Sequence, residues 1–116
     1  QNIIGFYTLS AMTIELQNLP INISKKLPQY PLVPATLIGR LAVDDNYQHN
    51  GFGEILLIDA LHRSYQMSKE VASFAVLVEA INDDAISFYK KYGFISLSTE
   101  FSNKLFIPIN LLNKII

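Results

Sequence analysis

Hydrophobic and polar positions along this chain follow two different periods, which predict strands and helices in alternation. Segments rich in Ile, Phe, Tyr, Val and Thr suit the pleated surface of a sheet, and two of them, 2–10 and 35–44, predict the first strands. The nearly continuous apolar run 71–80 predicts a central strand covered on both faces. Shorter apolar runs at 94–98 and 104–109 predict two final strands, antiparallel around a loop.

Two segments between these strands have the spacing of helices. Apolar residues recur at helical intervals through 51–69, which predicts a long and mostly buried helix. Asn82 supplies N-cap chemistry for a second helix that runs through Tyr92, and Gly93 is suited to its C-terminal end. Strands joined by a crossover helix are usually parallel, so the order of elements predicts an α/β fold with a mixed sheet and helices packed on it.

The segment 13–34 follows neither pattern. It contains four prolines, which cannot maintain helix or ladder hydrogen bonds: Pro20, Pro28, Pro31 and Pro34. We therefore predict a long surface loop, of the kind that often forms a lid or a binding element. Inside the next strand, Gly39 indicates a β-bulge or the close approach of another backbone.

Composition and charge exclude several classes of function. The chain has no cysteine, which excludes disulfides, thiolate metal sites and a cysteine nucleophile. Nine Lys and Arg residues against ten Asp and Glu residues give a formal charge of -1, so there is no global basic excess for nucleic-acid binding, and only a local basic patch stays open. No stretch is apolar for long enough to cross a bilayer, which predicts a soluble protein. The chain opens at Gln1 almost directly in strand-like residues, and we expect a further segment upstream.

A glycine-bearing loop between a predicted strand and a predicted helix carries the first chemical signal. The stretch 48–53 (QHNGFG) suits a phosphate, because glycines let the backbone approach and the first helical turn directs N–H groups at an anion. For an isolated G-x-G, a tight turn without a ligand is the commoner explanation. Neither G-K-[ST] nor G-x-G-x-x-G is completed, which excludes a Walker loop and a dinucleotide fingerprint.

Two motifs together resemble those of the GNAT N-acetyltransferase family. Residues 48–53 match its Q/R-x-x-G-x-G/A loop, and residues 82–94 (NDDAISFYKKYGF) match its N-x-x-A-x-x-F-Y-x-x-x-G-F signature after the central strand. The resemblance implies one GNAT domain over 1–116, without its first strand and first helices. It also implies a mixed, mostly antiparallel sheet with helices on its faces and a splayed parallel strand pair that holds coenzyme A.

The resemblance implies a role for each matching residue, with acetyl-CoA as the cosubstrate. Backbone groups of Leu41, Ala42 and Val43 would hold the pantetheine arm. The pyrophosphate would be bound by seven consecutive residues, Gln48, His49, Asn50, Gly51, Phe52, Gly53 and Glu54. Four residues of the helical signature would line the thiol end: Asn82, Ser87, Phe88 and Tyr89. No metal is expected, since neither histidine has a partner at ligand spacing.

In the family's mechanism the amine attacks the thioester carbonyl of acetyl-CoA directly, and two of these residues would be catalytic. The N–H of Val43 would stabilise the developing oxyanion, and Tyr89 would protonate the leaving thiolate. Without the signature, Tyr89 would be interpreted as a packing aromatic beside Phe88. Glu79, near the end of the central strand, is either a general base or a solvated carboxylate, with water as the alternative base.

Within the family, residues 5–10 (GFYTLS) and 37–43 (LIGRLAV) look like those of the acetyltransferase toxins of bacterial toxin-antitoxin pairs. This likeness implies an aminoacyl-tRNA amino group as the acceptor, an antitoxin partner, a homodimer and a cytoplasmic location. The tRNA would have to bind through a small set of cations: Lys25, Lys26, Arg40, Arg63, Lys90, Lys91 and Lys104. Two alternatives stay open: a GNAT enzyme that acetylates a small amine or a protein amino group, and a catalytically silent module that binds coenzyme A or a partner.

Overall fold

The computed structural model describes residues 5–39, 41–43, 51–68, 73–97 and 103–114. The strands in these ranges are β1 Gly5–Phe6, β2 Leu9–Glu15, β3 Leu32–Ile38, β4 Ala42–Val43, β5 Ala75–Glu79, β6 Ile95–Ser96 and β7 Lys104–Pro108. The α-helices are α1 Ile21–Ser24, α2 Phe52–Met67 and α3 Asp83–Lys91, and 3-10 turns occupy Leu16–Asn18 and Ile109–Lys114. Where the structure describes them, the predicted strands and helices are confirmed to within a few residues, with one exception at 13–34.

A five-stranded sheet in the order β2-β3-β5-β7-β6 forms the centre of the fold. Its strands β3 and β5, which are joined through α2, pair in parallel, and the other neighbours pair antiparallel. This arrangement confirms the mixed, mostly antiparallel sheet and the parallel pairing across a crossover helix. β5 lies in the middle with residues 75–78 buried, as its continuous apolar run predicted.

A second ladder joins β1 to β4 and continues the β2–β3 ladder after a shift of register. Leu9 is opposite Ile38, and Phe6 is opposite Ala42. Two residues therefore lie between β1 and β2, and three lie between β3 and β4. One extra residue on one strand is a β-bulge, which bends that strand and increases its twist. The bulge that Gly39 indicated is therefore confirmed.

The predicted loop over 13–34 is wrong at both ends. β2 continues to Glu15 and β3 begins at Leu32, and the two strands pair in one continuous antiparallel ladder. Only their connection, 16–31, is irregular, and α1 and the preceding 3-10 turn bring Leu19 and Ile23 onto the sheet. The prolines did not exclude a strand, because one of them occupies a position that a strand tolerates.

Pro34 lies inside β3 at a position where the β2–β3 ladder does not need its missing N–H. Hydrogen-bonded and non-hydrogen-bonded pairs alternate along an antiparallel ladder. The Leu16 N–H donates to the Pro31 carbonyl, so the Thr13–Pro34 pair, three positions away, is a non-hydrogen-bonded pair. On its other side Pro34 uses only its carbonyl, which accepts a 2.8 Å hydrogen bond from the Phe74 N–H.

Both faces of the sheet are covered by apolar side chains. On one face, α2 and α3 pack over a core that includes Leu57, Val76 and Val78. On the other face, the 16–31 connection covers a second cluster around Leu77 and Phe106. Alternation along β5 explains this division, because successive side chains point to opposite faces. In the part of the chain that the structure describes, no helix has the length and apolar character to span a membrane.

Candidate active site

An open cleft lies where the bulged strand leaves β5. The parallel β3–β5 pairing ends at the pair Ile38–Val78, and beyond the bulge β4 pairs with β1 instead of β5. The two strands therefore splay apart, as the predicted fold required. The cleft between them has a volume of about 420 Å³. Its lining comes from the strands, the following turn and α3: Phe6, Ile38, Gly39, Leu41, Glu79, Ile81, Ala85, Phe88 and Tyr89.

The helix α3 brings two aromatic side chains of the signature to this cleft. Its first turn is capped by Asn82, whose side-chain oxygen accepts a 2.8 Å hydrogen bond from the Ala85 N–H. Acidic residues in the first turn and lysines in the last turn match the polarity of the helix dipole. Gly93 follows the helix with a φ of 96°, in the left-handed region that favours glycine. Phe88 and Tyr89 then face the cleft.

Tyr89 supplies a buried phenol to the cleft. The residue is 7% exposed, and its ring makes edge-on contacts with the rings of Phe88 and Phe94, with both centroid distances at 5.4 Å. Burial raises the pKa of Tyr89 above its ordinary value. The phenol is therefore protonated at neutral pH and can act as a proton donor. Its ring also packs in the core, so the packing role coexists with a chemical one.

The helix α2 begins at the predicted phosphate loop. Gly51 precedes the helix in a left-handed conformation with a φ of 81°, and a Cβ at this position would meet no atom of the described residues within 4 Å. Gly53 and Glu54 follow in the first turn, where helix N–H groups point outward and the dipole favours anions. This start of α2 therefore has room and polarity for a phosphate.

A half-buried phenol, that of Tyr92, lies between the end of α3 and the first turn of α2. Burial and the neighbouring Glu54 carboxylate raise the pKa of Tyr92 to about 12. The Tyr92 hydroxyl oxygen is buried, without a hydrogen bond of regular geometry to the described residues. Its ring packs edge-on against Phe88 at 5.3 Å. The start of α2 is thus adjacent to the C-terminal end of α3.

The residues predicted for the site fall into four groups. Three line the cleft: Leu41, Phe88 and Tyr89. Two belong to α3 and its cap outside this lining, Asn82 as the cap and Ser87 as an exposed residue. Six occupy β4 and the start of α2: Ala42, Val43, Gly51, Phe52, Gly53 and Glu54. Gln48, His49 and Asn50 lie outside the described residues.

The cleft also contains residues that the motifs did not identify. Phe6 and Ile81 contribute an apolar mouth, with 47% and 90% of their surfaces exposed. Their spacing in the sequence carries no signal, because the bulge and the turn after β5 bring them together. Glu79 lines the same cleft. Over the described ranges, no three His, Cys, Asp or Glu side chains are placed to hold a metal ion.

Comparison with known sequences identifies related proteins. The sequence pattern of the acetyltransferase (GNAT) domain family matches residues 1–96. A tRNA-acetylating toxin of Mycobacterium tuberculosis is 35% identical over 92 residues, which are 79% of this chain and 54% of that protein. The probable toxin TacT of Sinorhizobium fredii is 27% identical over 114 residues, which are 92% of this chain and 62% of that protein. The chain therefore spans only part of the length of these relatives.

Solved structures of two toxins have the same fold. A tyrosine-to-phenylalanine mutant of KacT has 37% identity and a TM-score of 0.90, with 97% of this chain and 66% of that chain covered. AtaT complexed with acetyl-methionyl-tRNAfMet has 35% identity and a TM-score of 0.88, with 97% and 66% covered. A mutant AtaT toxin bound to the C-terminus of the antitoxin AtaR and acetyl-CoA has 30% identity and a TM-score of 0.78, with 97% and 65% covered. These similarities confirm the predicted fold class.

Proposed function

Since this chain belongs to the acetyltransferase (GNAT) family, we propose that it transfers the acetyl group of acetyl-CoA to the amino group of an aminoacyl-tRNA. The main support is Tyr89, a buried and protonated phenol in the cleft between the splayed strands. The relatives support the acceptor, because one is named a tRNA-acetylating toxin and AtaT was solved with acetyl-methionyl-tRNAfMet.

The cleft and the start of α2 have the chemistry that acetyl-CoA needs. Apolar side chains such as Leu41 and Phe88 suit the pantetheine arm and the thioester. The left-handed Gly51 and the first turn of α2 suit the pyrophosphate, because the backbone can approach it closely and the dipole favours its charge. We assign the pantetheine to the backbone of 41–43, the pyrophosphate to 48–54 and the thiol end to α3.

Two groups of the chain would assist the transfer, for which acetyl-CoA supplies an activated thioester. The N–H of Val43 donates to the carbonyl oxygen as negative charge develops on it. Tyr89 gives its proton to the sulfur as the carbon–sulfur bond breaks and the acceptor nitrogen bonds to the carbonyl carbon. The nitrogen loses its own proton to water or to Glu79. Because the pKa of Tyr89 lies above its ordinary value, the phenol holds its proton at neutral pH.

Positive charge on α3 supports a tRNA acceptor. Lys90 and Lys91 are exposed in the last turn of α3, directly after Tyr89. Arg63 is already paired with Asp59, at 3.4 Å, and contributes less free charge. A small cationic amine is the second candidate acceptor, because the Glu79 carboxylate in the cleft would attract it.

The acceptor is tested by competition between substrates. Labelled acetyl-CoA is supplied with charged tRNAs, free amino acids, polyamines and protein, and the acetylated product is identified across a salt series. We expect label on aminoacyl-tRNA, at a rate that falls as salt rises. Label that appears only on small amines or protein, at a rate insensitive to salt, would contradict the tRNA acceptor and leave acetyl transfer intact. A chain that binds acetyl-CoA without any transfer would be a silent module.

The likeness to the toxins extends the proposal to partners. We propose a cytoplasmic protein, because charged tRNA occurs there, with an antitoxin as its binding partner and a homodimer as its assembly. Light scattering of the protein alone and with the product of a neighbouring gene measures both interactions. A monomer that forms no complex with that product would contradict this part of the proposal.

A further inference from the structure

Tyr7, Asp59 and Arg63 form a polar cluster beside the bulge. The Tyr7 hydroxyl donates a hydrogen bond to the Asp59 carboxylate on α2. The Arg63 side chain lies 3.4 Å from the same carboxylate and 5.9 Å from the centre of the Tyr7 ring. Burial, then the hydrogen bond and charge of Asp59, raise the pKa of Tyr7 to about 12, and the Arg63 charge acts in the opposite direction. We call these three residues the Tyr7 clamp.

The Tyr7 clamp lies where the sheet bends. Tyr7 is one of the two residues that face the longer, bulged segment of the partner strand. Directly before it, within the described residues, β1 and β4 form the pairs Gly5–Val43 and Phe6–Ala42. The hydrogen bond from Tyr7 to Asp59 ties this part of the sheet to α2.

We call the paired strands β1 and β4 the β1–β4 arm. We propose that the Tyr7 clamp positions the β1–β4 arm away from β5 and thereby sets the width of the cleft. This inference rests on the proposed function, in which the backbone of β4 contacts the pantetheine and the developing oxyanion. With the arm tied to α2, these backbone groups are held in place before acetyl-CoA binds, which reduces the entropy lost on binding. Tyr7, Asp59 and Arg63 are therefore positioning residues.

The expected effect is moderate, because the cluster is partly exposed. The side chains of Asp59 and Arg63 are 52% and 66% exposed, and solvent weakens an ion pair of this kind. Loss of one net hydrogen bond changes an equilibrium constant by about two- to tenfold. We expect a change of about two- to tenfold in the equilibrium constant for local opening of the β1–β4 arm, and the same change in the dissociation constant of acetyl-CoA.

Hydrogen exchange tests the position of the arm without reference to activity. Backbone amides of 41–43 are compared with those of β5 in the parent chain, in Tyr7→Phe and in the control Tyr30→Phe, which removes an exposed hydroxyl from the 16–31 connection. We expect Tyr7→Phe to accelerate exchange at 41–43 by about two- to tenfold and to leave β5 unchanged. Equal acceleration in β5 would mean a global loss of stability and would overturn the proposal.

A double-mutant cycle tests whether Tyr7 acts through Asp59. Tyr7→Phe and Asp59→Ala should each weaken acetyl-CoA binding, measured by calorimetry, and the double mutant should be no weaker than Asp59→Ala alone. Additive losses, or affinities equal to that of the parent, would overturn the clamp. Asp59→Leu, which has a similar size but cannot accept a hydrogen bond, replaces Asp59→Ala if the latter fails to fold. A parent chain that transfers no acetyl group would contradict the proposed function, while the exchange measurement would still decide on the clamp.

Discussion

The side-chain oxygen of Asn82 accepts a hydrogen bond from the N–H of Ala85, and this bond fixes the first turn of the helix that carries Tyr89. The bond satisfies one of the N–H groups that a helix leaves without an internal partner. α3 has only nine residues, too few to be stable as an isolated helix. The cap and the packing of Tyr89 therefore both determine where the phenol lies.

Replacement of this cap should lower stability. We expect Asn82→Ala to reduce the free energy of unfolding by about 1 kcal/mol, because the N–H of Ala85 loses its acceptor. Urea denaturation measures the change, with Ser87→Ala on the exposed side of α3 as a control. Asn82→Ser should keep the cap and most of the stability. If Asn82→Ser restores stability but not acetyl-CoA affinity, Asn82 also contacts the ligand.

Removal of the Tyr89 hydroxyl should slow acetyl transfer. We expect Tyr89→Phe to keep the fold and the affinity for acetyl-CoA, because the ring contacts remain, and to reduce the single-turnover rate by roughly 10²–10⁴-fold. The matched control is Tyr30→Phe, whose ring is 71% exposed in the 16–31 connection. An undiminished rate in Tyr89→Phe would leave Tyr89 as a packing residue and water as the proton source.

A negative charge at Gly51 should block the phosphate site. Gly51 has a positive φ, and no atom of the described residues lies within 4 Å of its Cβ position, so Asn, which tolerates this conformation, should fold there. Gly51→Asp has nearly the same shape but adds a charge that repels the pyrophosphate. We expect calorimetry to detect acetyl-CoA binding by Gly51→Asn and none by Gly51→Asp. Equal affinities in the two variants would contradict a phosphate at this position.

The helices of the fold were predictable because their ends carry local signals. Gly51 before α2, Asn82 before α3 and Gly93 after it are residues whose conformational preferences act over one turn. The same local motifs identified the candidate phosphate loop and Tyr89.

Prediction from the sequence failed where contacts between distant residues outweigh a local preference. Pro34 was expected to exclude a strand, but its position in the ladder makes its missing N–H irrelevant. Tyr7 and Asp59 are 52 positions apart, and their contact depends on how the bulge turns β1 toward α2. Phe6 and Ile81 both line the cleft, because the bulge and the turn after β5 bring β1 and the end of β5 to the same cleft. No spacing in the sequence encodes these contacts.

Three tyrosines with raised pKa values should make the protein sensitive to alkaline pH. The pKa values of Tyr7 and Tyr92 are raised to about 12, and that of Tyr89 is also raised, from an ordinary value of 10.0. Between pH 10 and about 12, tyrosines of the unfolded chain have lost their protons, whereas Tyr7 in the folded chain retains its proton. The free energy of unfolding therefore falls as pH rises through this range. Below pH 10 the tyrosines contribute no such loss. Urea denaturation across this window should give a flatter decline for Tyr7→Phe than for the parent, and identical slopes would contradict the raised pKa.

Contact of α3 with tRNA phosphates should appear in the salt dependence of binding. Lys90 follows Tyr89 directly on α3, whereas Lys25 lies in the connection that precedes β3, at the end of that strand away from the cleft. Each phosphate contact contributes a slope of about 0.7 to 0.9 in the logarithm of affinity against the logarithm of salt concentration. We therefore expect Lys90→Gln to reduce the slope for aminoacyl-tRNA by about this amount and Lys25→Gln to leave it unchanged. Filter binding over a salt series measures both variants against the parent. A slope that Lys90→Gln does not change would remove α3 from the tRNA interface, and a slope that falls only in Lys25→Gln would move the interface to the 16–31 connection.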